Sequence, residues 1–131
     1  MGEFHHERLD VYQAAVGFVV VADGVADALP RGRAYLADQL RRAASSIALN
    51  TAEGAGEYRT KDKARFYRMA TRSATECAAL FDVLTRLSLA ETNTLAGGRD
   101  LLVRIVSMLT KMVLGLQQQR ERERERKRGT R

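Results

Sequence analysis

The sequence predicts an all-α fold, an antiparallel up-down-up-down four-helix bundle, on three observations. Apolar residues recur at alternating steps of three and four over four long segments, which is the spacing of one helical face. The chain has one proline and no tryptophan, a composition that favours long helices over a turn-rich β fold. Its 131 residues fit one domain and leave no room for a second core.

The first helix is expected over Arg8–Leu29, with Tyr12, Ala15, Val19, Ala22, Ala26 and Leu29 on one face. Pro30 disfavours helical geometry at the residue before it and so provides the stop. Val11, Phe18 and Val25 fall off that face at steps of seven. A surface helix in a monomer needs no such second stripe, so these residues predict a further partner surface. The second helix is expected over Arg33–Glu53, with Leu36, Leu40, Ala43, Ile47 and Asn50 on its seam. The flanking Ala44, Ser45, Ser46, Ala48, Thr51 and Ala52 are all small, which lets a neighbouring backbone come close. Gly54-Ala55-Gly56 is expected to end this helix.

The third helix is expected to start with Thr60 as N-cap and to run to Leu89. Phe66, Ala70, Ser73, Cys77, Leu80, Leu84 and Leu87 step 4-3-4-3-4-3, a heptad seam suited to shallow packing angles in a bundle. At about 1.5 Å per residue it is roughly 45 Å long. Ala90 to Arg99, with Gly97-Gly98, is expected to be the one real loop. The fourth helix is expected over Asp100–Gln119, with Leu102, Ile105, Leu109, Met112 and Leu116 on its seam. Leu101, Val106, Met108 and Val113 widen its apolar surface. Short connections imply antiparallel neighbours, and the excess apolar surface on the first and fourth helices argues for a homo-oligomer. Residues 1–119 are therefore expected to form the bundle. In residues 120–131 the Arg-Glu repeat leaves nothing apolar to bury, and a charged, frayed or disordered tail is expected.

The net charge of +6 is unevenly spread, because seven of the 22 Lys+Arg but only three of the 16 Asp+Glu lie in that tail. The remainder is nearly neutral, so any affinity for nucleic acid has to come from local clustering. The single cysteine excludes an internal disulfide and fits a reducing cytoplasm. No stretch approaches the roughly 20 apolar residues of a membrane span, and no membrane partner is expected. Met1 to Glu7 is polar and acidic, unlike a signal peptide.

No catalytic constellation is visible, and neither enzyme activity nor a cofactor is expected. His5 and His6 are adjacent and diverge on any helix, so with Glu3 and Glu7 they make at most an adventitious metal site. A solvated N-terminal arm is the expected reading. Cys77 lies on the heptad seam with no histidine near it in sequence, as befits a buried structural thiol. There is no Walker loop and no glycine-rich strand-to-helix turn.

Two clusters rise above this background. The first is expected in the interior: Arg41, Arg42, Asn50 and Glu53 on the second helix with Glu76 on the third, a structural network or a subunit contact. The second is basic and exterior. Between Arg59 and Arg72 stand six basic residues, Arg59, Lys61, Lys63, Arg65, Arg68 and Arg72, and one acid, Asp62. Lys61, Arg65, Arg68 and Arg72 step by 4, 3 and 4 and form one stripe about 16 Å long. Nucleic-acid phosphates would meet this stripe favourably; the plainer alternative is a solvated face that keeps the bundle soluble. Tyr58 and Tyr67 stand near it, in reach of bases, though packing inward is equally open to Tyr67.

The run from Gln39 through Gly54, QLRRAASSIALNTAEG, resembles the second-helix signature of the bacterial four-helix bundle proteins known as 23S rRNA intervening-sequence proteins. Leu9-Asp10-Val11-Tyr12-Gln13 agrees with it, as do Phe66-Tyr67, Ser73-Ala74 and Glu76. The likeness covers about residues 4–116. Thr51 stands where that family commonly has an aliphatic residue, Arg72 where it often has glycine, and the Arg-Glu tail lies outside the pattern. The resemblance implies a ring-like homo-oligomer, typically a pentamer. It also implies kinship with the accessory proteins of diversity-generating retroelements, which bind nucleic acid and a reverse transcriptase through a basic surface. Taken together, a non-catalytic, oligomeric, cytoplasmic accessory protein is expected. Its expected partners are RNA or DNA, with RNA favoured, and a reverse transcriptase or other protein. The alternative is a protein-interaction scaffold whose helical faces serve assembly only.

Overall fold

The computed structural model describes residue 2 and residues 4–129. After a single 3-10 turn at His5–Arg8 come four helices, α1 (Asp10–Asp27), α2 (Ala34–Gly56), α3 (Thr60–Arg86) and α4 (Thr92–Gly129). No strand occurs among the described residues. Each helix borders its neighbours in the chain, and α4 closes the circuit by packing on α1. The result is a four-helix bundle, as the periodicity predicts. Side chains tie successive helices together: Arg41 of α2 pairs with Asp23 and Asp27 of α1, Ser73 of α3 bonds Ser46 of α2, and Arg99 of α4 pairs with Asp82 of α3.

The inward faces of α1 and α3 differ from expectation. On α1 the centre of the core is taken by Val11, Ala15, Phe18, Ala22 and Val25, all buried, while Tyr12, Val19 and Leu29 are only partly covered. Val11, Phe18 and Val25, expected to await a partner, are thus covered within the chain. Both faces share Ala15, Ala22 and Ala26, so spacing alone does not separate them. The large side chain Phe18 does, because burying a ring removes far more apolar surface from water. On α3 the buried line is Tyr67, Ala70, Ala74, Cys77, Phe81 and Leu84. Phe66 and Ser73 move to its rim and Leu87 is exposed, again because two rings, Tyr67 and Phe81, turn inward. The seam expected for α4 holds at Leu102, Ile105 and Leu109, with Met112 and Leu116 half-buried beyond them.

Glycines account for the other differences. α2 ends at Gly56, within the expected Gly54-Ala55-Gly56 stop, but Gly97-Gly98 lies within α4, so the expected loop at 90–99 is really the short connection 87–91. A Cβ on Gly98 would sit 2.5 Å from Cε2 of Phe81, and one on Gly54 would sit 2.5 Å from Cε1 of Tyr67. These two glycines admit an aromatic ring from the neighbouring helix and do not break their own. The turn out of α3 is made instead by Ser88, at φ 53. Leu89 N–H bonds Leu84 C=O at 3.0 Å and Ser88 N–H bonds Thr85 C=O at 3.1 Å, which is the Schellman pattern of a helix end. At the start of α3, Arg59 and not Thr60 holds the cap position, and no side chain caps it.

The Arg-Glu segment is a further correction. Residues 120–129, expected to be frayed or disordered, continue α4 as helix; Thr130 and Arg131 lie outside the described residues. Once the packed part of α4 has formed, each added residue gains a backbone hydrogen bond with no new nucleus to make. Arginine and glutamate are good helix formers, and Glu-Arg pairs three apart support the extension.

Candidate nucleic-acid interface

The basic face of α3 is positioned by the corner between α2 and α3. The ring of Tyr67 lies against Gly54 where no Cβ intervenes. Beside it, Lys63 Nζ donates to the carbonyls of Gly54 and Ala55 at 3.2 and 3.1 Å. The last carbonyls of a helix lack the partners its own next turn would supply and carry its negative end, so an ammonium there is favoured. With Tyr67 drawn in, helical spacing turns Lys61, Arg65, Arg68 and Arg72 out, and all four are exposed. Among the described residues none of them pairs with a carboxylate. Arg59 is exposed in the loop ahead of them.

Lys63 is the exception among the six basic candidates, since its ammonium belongs to the end of α2. The Arg65 guanidinium lies 4.9 Å from the centroid of the Phe66 ring. Arg68 and Arg72 border a shallow groove between α3 and α4, with Thr71, Thr110, Val113 and Leu114. The two tyrosines separate cleanly: Tyr67 is 4% exposed and Tyr58 is 98% exposed.

The expected interior network is not interior. Arg42, Glu53 and Glu76 are exposed, and Arg41 is turned away from them toward Asp23 and Asp27 on α1. Asn50 is half-buried and donates from Nδ2 to the Ser46 carbonyl and to Ser46 Oγ, both at 2.9 Å, while Ser73 Oγ donates to Ser46 Oγ at 2.8 Å. The reason is a small rotation of α2, which places Ile47 and Thr51 in the core and leaves Asn50 at its rim. Gln39, Arg42, Ser46, Ser73 and Glu76 line an open groove between α2 and α3. Thr51 satisfies its buried hydroxyl by donating to the Ile47 carbonyl at 2.7 Å.

Of the two N-terminal histidines, His5 is exposed and His6 is held by ring contacts. His6 packs edge-on against Tyr12 at 4.5 Å between centroids and stacks on Phe4 at 5.7 Å. Glu3, the fourth member of the adventitious metal set, lies outside the described residues, and no cluster of metal-ligating side chains occurs among those described. Cys77 is buried as expected, and its thiol is pushed from 9.0 up to about 12 by burial and then by the charge of Glu76. Burial also raises the Tyr67 phenol.

Both are acids that the fold keeps neutral, so above pH 9 the folded chain holds protons that the unfolded chain releases. Stability is therefore complete below about pH 9 and declines as the pH rises toward 12. Each such proton steepens the decline by about 1.4 kcal/mol per pH unit. Urea unfolding at pH 8 and pH 10.5 should show the loss, and Cys77→Ala should make it shallower. An unchanged midpoint would mean that the thiol is open to solvent.

The fold and this surface together define the class: a helical bundle with an extended basic face on α3. The profile of the 23S rRNA-intervening sequence protein family matches residues 7–111, most of the chain, and the chain belongs to that family. The match ends before the Arg-Glu extension of α4. No curated protein matches the chain. Among the described residues no helix is long and apolar enough to cross a membrane.

Proposed function

We propose that this chain is a non-catalytic accessory protein that binds nucleic acid, RNA foremost, through the basic face of α3. One observation carries the reading: Lys61, Arg65, Arg68 and Arg72 share one exposed face and have no carboxylate partner among the described residues. Like charges so placed repel one another, and a row of phosphates both relieves that repulsion and releases counterions. RNA is favoured because the family takes its name from an intervening sequence of 23S rRNA.

The same reading takes the bundle as up-down-up-down, supported by Arg41 meeting the end of α1 and Arg99 meeting Asp82. It places the protein in the cytoplasm as a homo-oligomer, a pentamer by the family resemblance. Support for assembly comes from Val16 and Val20 on α1 and Leu49 on α2, which remain exposed, and not from the stripe that the core has absorbed. A ring would repeat the basic face and let weak contacts add through avidity. Those exposed apolar residues also favour the second reading, an assembly scaffold with no nucleic-acid ligand.

Charge reversal separates the two. In the full chain, Arg65→Glu with Arg68→Glu should lower affinity for a short RNA about a hundredfold. It should also flatten the log–log salt dependence by about 0.7 for each single-strand phosphate contact removed. Helicity and the mass from light scattering should not change. A chain ending at Gln119 controls for polyanion binding by the Arg-Glu helix. If that shorter chain binds no RNA at low salt, the α3 face is only a solvated surface and the scaffold reading stands.

A further inference from the structure

Resting on the nucleic-acid function just proposed, we infer that Tyr58 is a base-stacking residue and that the ligand of the α3 face is single-stranded. The chain's four tyrosines differ sharply in their surroundings. Tyr12 packs against His6, Tyr35 accepts a hydrogen bond from Arg33, and Tyr67 is buried. Tyr58, 98% exposed, has neither a hydrogen bond nor a ring contact among the described residues. Its ring contributes almost nothing to the core.

The mount of that ring is firm even though the ring is free. Glu57 N–H bonds the Gly54 carbonyl at 3.3 Å on one side, and Lys63 N–H bonds the Arg59 carbonyl at 2.9 Å on the other. Lys63 Nζ ties the same corner to the end of α2. The backbone is extended at Glu57, with φ −81 and ψ 148, and at Arg59, with φ −80 and ψ 134. A segment already held in this way loses little conformational freedom when a ligand arrives.

Position supplies the chemistry. Tyr58 directly precedes Arg59 and stands three residues before Lys61, at the head of the cationic line. A strand whose phosphates follow that line toward Arg72 brings a base to the ring. An aromatic face accepts any base by stacking, but only an unpaired base can offer its own face. In a duplex those faces are hidden between neighbouring pairs. Phe66, the other aromatic beside the stripe, is already covered by the Arg65 guanidinium, so Tyr58 is the ring left for the ligand.

The test uses the full chain and a short oligouridine, its abasic counterpart and an RNA duplex of equal length. Tyr58→Ala should leave the thermal midpoint unchanged, weaken oligouridine binding about tenfold, and keep the salt slope, since no phosphate contact is lost. It should not alter binding of the abasic strand. Because the chain has no tryptophan, Tyr58→Trp gives a single reporter, which should bind oligouridine as well as the parent and lose fluorescence on stacking. Equal affinity of parent and Tyr58→Ala for oligouridine, or tighter binding of the duplex with no quenching, overturns the inference while leaving the nucleic-acid function standing. If the parent binds none of the three ligands, that function fails and the inference falls with it.

Discussion

Phe81→Ala is expected to destabilise the folded chain by about 3–5 kcal/mol, the range for removing a fully buried ring. Phe81 is 2% exposed and meets Phe18 of α1 at 5.6 Å between centroids, so it joins helices that do not otherwise touch through their backbones. Its other side lies against Gly98, where the absence of a Cβ brings α4 close. Truncation therefore leaves a cavity bounded by a glycine, with no side chain on α4 to fill it. Urea unfolding should show the midpoint falling with little change in slope. A sign reversal gives a sharper check. Gly98→Ala should destabilise the parent by overpacking yet stabilise the Phe81→Ala chain by partly filling the void. A loss below about 1 kcal/mol for Phe81→Ala would place this ring outside the core.

Gly54→Ala is expected to act on both stability and ligand binding. The new Cβ would stand 2.5 and 2.8 Å from two carbons of the Tyr67 ring, closer than atoms pack. Because Tyr67 is buried, the ring cannot swing aside, and overpacking of this kind costs about 1–3 kcal/mol. Alanine's better helix propensity returns at most about 1 kcal/mol, and less in a last turn. Relief requires α3 to shift at its N-terminus, which lengthens the Lys63 bonds and turns the basic stripe. RNA affinity should fall along with the thermal midpoint, and Tyr67→Leu in the same chain should recover part of both. Should Gly54→Ala raise stability, the glycine is there for some reason other than the ring.

Local periodicity made the helices legible, along with their number and their order. The outward face of α3 was legible too, because steps of 4, 3 and 4 place four cations on one line whatever the helix packs against. The burial of Cys77 followed from its place on the seam. Less accessible were the roles of the glycines. A glycine that admits a ring and one that ends a helix look alike in a sequence, and the ring comes from another helix. Gly97-Gly98 beside a polar stretch therefore suggested a loop, while Ser88, with nothing in its identity to mark it, makes the turn. Lys63 counted as one of six cations until α2 placed two carbonyls of its last turn beside it.

The sequence by itself determined the class of fold, because helical periodicity and composition depend only on neighbours along the chain. It also determined the charge pattern of α3. The tertiary structure decided which of two overlapping faces of α1 enters the core, with Phe18 chosen over Tyr12 by the fit of its ring against Phe81. It decided as well that Arg42, Glu53 and Glu76 lie at the surface, since a small rotation of α2 exchanges the core place of Asn50 for Thr51. Such choices turn on the volumes and hydrogen-bonding groups that a second helix presents, and those are set only when the helices meet.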